Sequence, residues 1–190
     1  MKNKRLILIL FILVATAQLY VPISMIMESE EIVDEGRVYK FRTRPIDPVD
    51  PLRGRYVVLN FQNNYIEIPG DSIYYEGQDI FVILKKDASG FMDIDHLVQE
   101  KPIGDIDFVN AKVGSLIYRN NTSKIHVIYP FNRYYMEEFK APLAEEIQND
   151  AARDSTTVTY VEVKVKEGRA VIQDIIVDGI SIDDLVMDPR

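Results

Sequence analysis

Two aspartates, Asp47 and Asp50, stand closest to a catalytic arrangement in this chain: each precedes a proline, and Arg44, Arg53 and Arg55 surround them. Carboxylate oxygens on a stiff loop can converge on a hard cation or act as an acid–base pair. The same dipeptides are also ordinary turn chemistry, with the carboxylate accepting nearby backbone N–H groups and the arginines closing ion pairs. A structural role or partner recognition is therefore the expectation for both aspartates, with no metal and no cofactor. A second group, Arg133, Tyr134 and Tyr135, sets a guanidinium beside two rings. Such a group can bind a carboxylate, stack on an aromatic or anchor an interface. Alternate strand residues face opposite ways, so one tyrosine can fill the core while the other stays available. Two readings stand side by side here: an interface, or a core tyrosine with Arg133 paired to a nearby acid.

The remaining chemistry is thinner. Asp93, Asp95 and His96 bring oxygen and nitrogen ligands together, but a zinc site needs more ligands at a recognisable spacing. His126 lies inside the apolar run 125–129 and reads as a strand residue with one ring nitrogen satisfied. The chain has no glycine-rich phosphate loop, no Gly-x-Ser-x-Gly elbow and no His-Glu-x-x-His pair. Residues 120–123, Asn-Asn-Thr-Ser, fit a glycosylation sequon and equally a polar turn; the turn is the expectation. The absence of Cys removes disulfides, thiolate nucleophiles, Cys-ligated zinc and a lipidated cysteine.

Several elements must position these residues. Pro45, Pro48 and Pro51 each fix their own φ and push the preceding residue out of the helical region, so 44–52 reads as an extended, stiff loop between two strands. Gly54 supplies a turn. After it, Val57, Leu59 and Phe61 alternate with Tyr56, Val58, Asn60 and Gln62, which predicts a core face and a mixed face. Residues 37–43 predict a first strand, and 65–69 another. Runs 78–86 and 91–98 flank Asp-Ala-Ser-Gly and predict a hairpin. Strands are predicted at 108–118 and 124–129, and a second hairpin at 156–166 and 170–177 around Glu167-Gly168-Arg169. Residues 137–153 predict the main helix, with Leu143, Ile147 and Ala151 on one face and Pro142 setting its true start. A short turn beginning at Ser181, with Asp183 and Asp184 near its start, closes the chain.

The N-terminus decides where the domain works. Residues 6–27 contain no charge, and 22 residues exceed the ~20 needed to cross a bilayer as a helix. A cleaved signal peptide ending at Ala15-Thr16-Ala17 is the rival reading. The retained anchor is the expectation, because apolar residues continue from Leu19 to Met27. Lys2, Lys4 and Arg5 precede the span, and every acid in the chain follows it. This charge pattern predicts a cytoplasmic N-terminus and an extracytoplasmic domain on the inner membrane. From Glu28 on there are 19 basic and 30 acidic residues, a balance that excludes nucleic acid as a partner. The organisation expected is an anchor at 1–27, an acidic juxtamembrane segment at 28–36 ending at Gly36, and a strand-rich α+β domain at 37–190.

Three stretches in order resemble the GDYXXLXY family of membrane-anchored proteins. The first is the proline-aspartate loop followed by Gly54-Arg55-Tyr56-Val57-Val58-Leu59-Asn60-Phe61. The second is Phe131-Asn132-Arg133-Tyr134-Tyr135 ahead of an acidic helix, with Met136-Glu137-Glu138-Phe139 where the family often has Pro-Glu-Gly. The third is the closing Gly168-Arg169-Ala170-Val171-Ile172 and Val177-Asp178-Gly179. Arg55 stands where the family has Asp, which inverts charge and removes any chemical role for that carboxylate here. Phe61 stands where it has Tyr and loses only the hydroxyl.

Biochemical activity is not established for the family, whose members often occur beside or fused to multi-pass membrane proteins. The resemblance implies an accessory subunit of the bacterial envelope. The leading functional expectation is thus a non-enzymatic module that docks on another envelope or multi-pass membrane protein through Arg44, Asp47, Asp50, Arg53, Arg55, Tyr56, Arg133, Tyr134 and Tyr135. The alternative is a hydrolase, a metal-dependent enzyme or a small-ligand receptor built on Asp47, Asp50 and the Arg-Tyr-Tyr segment.

Overall fold

A computed structural model of the chain describes residues 2–44, 56–69, 73–118, 122–137, 139–154 and 157–187. The uncharged N-terminal run forms α1 (Lys2–Glu35), with Pro22 inside it. The helix continues without a break through the acidic residues after Met27 and ends at Gly36, whose N–H donates to the Ile32 carbonyl at 2.9 Å. None of its apolar window is buried by the rest of the chain. Among the described residues it is the one helix long and apolar enough to cross a membrane.

Two five-stranded antiparallel sheets share one core. The first has the order β12-β11-β10-β1-β3, built from β1 (Arg37–Arg44), β3 (Asn60–Phe61), β10 (Thr159–Lys166), β11 (Arg169–Val177) and β12 (Ile180–Ser181). The second has the order β4-β8-β7-β5-β6, from β4 (Tyr65–Pro69), β5 (Asp79–Lys86), β6 (Met92–Val98), β7 (Phe108–Tyr118) and β8 (Thr122–Ile128). Strict alternation in β1 buries Tyr39, Phe41 and Thr43, and in β10 Val161, Val163 and Val165. They meet Val82, Leu84, Val109, Val113 and Val127 of the second sheet in one cluster. Phe41 packs edge-on against Phe61, Tyr129 and Phe131 at 5.2–5.6 Å between ring centroids. Phe61 is 4% exposed, so at this position the core accepts a ring and has no need of the family's hydroxyl.

Local turn chemistry sets both predicted hairpins. In the first, the Asp87 carboxylate accepts the N–H groups of Ser89 and Phe91 at 2.8 and 3.0 Å. In the second, Glu167 and Gly168 take φ of 49° and 83°, the left-handed pair of a type I′ turn that matches strand twist. The hairpin tip is wedged: the Asn110 N–H donates to the Gly168 carbonyl at 2.8 Å, tying the first sheet to β7.

The same hairpin holds the end of α1. Glu28 pairs with Arg169 at 2.5 Å, and Lys166 bridges Glu31 and Glu35 at 2.5 and 2.6 Å. Lys164 donates to the Val33 carbonyl. Ile32 is 3% exposed beneath these contacts. The helix thus leaves its apolar stretch directly onto the domain, fastened by one apolar contact and a ring of charge.

The main helix, α2 (Ala141–Arg153), starts later than 137, with Pro142 in its first turn as anticipated. Ala144 is fully buried, with Leu143, Ile147 and Ala151 half-buried beside it. The closing turn is a short helix, α3 (Ile182–Met187), and the Asp183 N–H donates to Ser181 Oγ at 3.3 Å. Residues 122–123 of the expected polar turn belong to β8, while 120 and 121 lie outside the described residues. The chain is a strand-rich α+β fold carrying one long N-terminal apolar helix.

Candidate functional site

The strand expected after Gly54 divides at Leu59 between two neighbours. Its second part, β3, pairs with Thr43 and Arg44 of β1. Its first part, β2 (Tyr56–Val58), pairs with β9 (Arg133–Tyr135) as a separate two-stranded ribbon. The Leu59 N–H donates to the Asn132 carbonyl at 2.9 Å and continues the alignment. Val57, Leu59 and Phe61 are buried, as their alternation predicts.

This pairing joins two of the regions singled out in the sequence. Tyr56 lies opposite Tyr135, Val57 opposite Tyr134, and Val58 opposite Arg133. Residues directly opposite share a face, so Tyr56, Val58, Arg133 and Tyr135 point outward together. The Tyr56 and Tyr135 rings lie 5.6 Å apart, and the Arg133 guanidinium sits 4.9 Å from the Tyr56 centroid. Tyr135 is 67% exposed. Among the described residues Arg133 has no carboxylate partner, and its contact is the ring.

Tyr134 takes the inward direction. It packs against the core, and its hydroxyl donates to Asp183 Oδ2 at 3.2 Å. Burial first, and then the nearby Asp183 and Asp174, push the phenol well above its ordinary range. Asp174 is itself raised, by burial first, with Asp183 and Glu162 adding to it. Asp174 and Asp183 were not visible as partners in the sequence; the only signal was an acid near the start of the last helix.

Arg44 lies at the far end of β1 from α1, about 23 Å away over seven strand steps, and donates to the Gln62 carbonyl at 3.0 Å. Asp47, Asp50, Arg53 and Arg55 lie outside the described residues.

The other candidates sit elsewhere. Asp95 accepts from His96 Nδ1 at 2.7 Å and faces Lys85 at 3.5 Å, and these contacts, His96 first, lower its pKa. Asp93 lies 3.8 Å from the same lysine. Among the described residues no three carboxylate, imidazole or thiol groups converge on a point a metal could occupy. His126 is half-buried in β8, with Nε2 3.2 Å from Asn64 Nδ2, and burial lowers its pKa. The Asn63-Asn64 pair was not singled out in the sequence, where it reads only as a break between two strands. Here Asn63 Nδ2 donates to the Met92 carbonyl, and the Asn63 carbonyl accepts from the Tyr129 hydroxyl, both at 2.8 Å.

A family model described as GDYXXLXY protein matches residues 18–175. The chain belongs to the GDYXXLXY family. No curated protein and no solved structure matches it. Both strands of the exposed ribbon fall inside the family match, as do Lys166 and Arg169 of the hairpin that grips α1 and α1 itself from Gln18 on.

Proposed function

We propose that this GDYXXLXY-family protein is a non-enzymatic accessory module of the cytoplasmic membrane, anchored by α1 with its N-terminus inside and its strand-rich domain outside. The domain docks on another envelope protein through the face formed by Tyr56, Arg133 and Tyr135, with Arg44 and the adjoining Asp47, Asp50, Arg53 and Arg55. The observation that carries this reading is the β2–β9 ribbon, which puts an arginine and two tyrosines on one outward face. Exposed aromatic–arginine groups of this kind are the usual anchors of protein interfaces. Lys2, Lys4 and Arg5 before the span, and only acids immediately after it, favour the orientation. Tyr134, held inward by Asp183, gives the ribbon a fixed base.

The test is crosslinking and co-purification of the full chain from native membranes. A stoichiometric partner is expected, weakened about 5- to 30-fold by Arg133→Ala or Tyr135→Ala, the factor that 1–2 kcal/mol at an interface anchor represents. Both side chains are exposed, so the melting temperature should hold. A partner retained equally by both variants refutes this surface.

A further inference from the structure

Four polar side chains interrupt the uncharged stretch of α1: Thr16, Gln18, Tyr20 and Ser24. In hydrocarbon a polar group must find its partner within protein. Thr16 and Ser24 do so locally, their hydroxyls donating to the carbonyls of Ile12 and Val21 at 2.8 Å. Gln18 is exposed and its amide has no hydrogen bond among the described residues. Pro22, one turn later, adds a second deficit at the same place. The N–H of residue 22 is the helical donor to the Gln18 carbonyl, and proline has none. Gln18 therefore combines a free carboxamide with a backbone acceptor that lacks its usual donor. At 1.5 Å per residue it lies about 18 Å from Leu6 and about 14 Å from Met27, near the middle of a ~30 Å hydrocarbon layer.

We infer that α1 pairs in the membrane with a second copy of itself through Gln18. A carboxamide both donates and accepts, so two copies can form a reciprocal N–H···O pair. A parallel two-fold dimer brings identical residues together at identical depth, whereas an unrelated helix would have to supply a matching group at that level. Small residues let the backbones approach, and Ala15 lies one turn before Gln18 on the same side. The domain leaves the stretch uncovered. Phe11, Val14, Val21 and Met25 share the Gln18 stripe by helical spacing, while Ile23 faces away.

This inference rests on the membrane reading above, and the experiment separates the two. The chain has no cysteine, so a single introduced thiol reports on one position. Purified full-length Met25→Cys and Ile23→Cys proteins are placed in phosphatidylglycerol–phosphatidylcholine vesicles at low protein density and oxidised. Disulfide dimers are expected for Met25→Cys and not for Ile23→Cys. Adding Gln18→Leu to Met25→Cys should lower the dimer yield about tenfold, and Gln18→Asn should retain part of it. Equal crosslinking at both cysteine positions, or a yield unchanged by Gln18→Leu, overturns the pairing. Protein that resists alkaline extraction but stays monomeric overturns the pairing alone; protein released by alkaline extraction overturns the membrane reading and the pairing with it.

Discussion

Replacing Gly168 by alanine tests whether the hairpin tip is a packed joint between the two sheets and the end of α1. Gly168 has φ of +83°, a conformation that costs an L-residue about 1–2 kcal/mol. Reduced freedom of the unfolded chain offsets about 0.4–1 kcal/mol of this. A Cβ there would also lie 2.3 Å from Asn110 Oδ1 and 2.4 Å from Phe108 Cε2. The amide of Asn110 can swing aside. The Phe108 ring cannot do so freely, being 4% exposed and packed edge-on against Phe81 at 5.7 Å. Overpacking of this sort adds about 1–3 kcal/mol. Gly179 is the internal control, with φ of +82° and nothing within 4 Å of its would-be Cβ. Gly168→Ala should therefore cost about 2–4 kcal/mol and Gly179→Ala about 1 kcal/mol. Thermal unfolding of the full chain in detergent, followed by circular dichroism, should separate the two variants by about 4–8 °C, taking ~2 kcal/mol at 2–4 °C per kcal/mol. Equal losses would refute the packing argument and leave only backbone strain.

Three further outcomes follow from the same structure. Burial raises the Asp174 pKa, and a carboxyl whose folded pKa lies above its unfolded value loses stability as pH rises through both. The penalty is full at neutral pH and absent below about pH 3, under the unfolded value. Asp174→Asn should therefore raise the melting temperature at pH 7 and leave it unchanged near pH 3; a gain at both pH values contradicts the electrostatic cause. Ile32→Ala removes the apolar seat of α1 on the first sheet at about 2 kcal/mol or more. It should speed amide exchange in residues 28–35 while the domain keeps its melting temperature, and unchanged exchange would show that the charge pairs alone hold the helix. Mass spectrometry of protein taken from membranes should give the intact 21.9 kDa chain, and an N-terminus just after Ala17 would sink the retained anchor.

Much of this molecule was legible residue by residue. The long uncharged run specified α1, whose Pro22 removes one backbone hydrogen bond without ending the helix before Gly36. Asp87 with Gly90, and Glu167 with Gly168, specified their hairpins because a turn is decided by the few residues that make it. Alternation placed Val57, Leu59 and Phe61 inside, since a period of two needs no knowledge of the neighbouring strand. Partners were another matter. That the strand after Gly54 would divide between β1 and β9, that Tyr134 would turn inward to Asp183 while Tyr135 stayed out, and that Ile32 would be buried under a hairpin from the other end of the chain were set by the tertiary structure. These choices depend on which apolar surfaces close on one another across long stretches of chain, and no window of sequence contains both sides of such a contact.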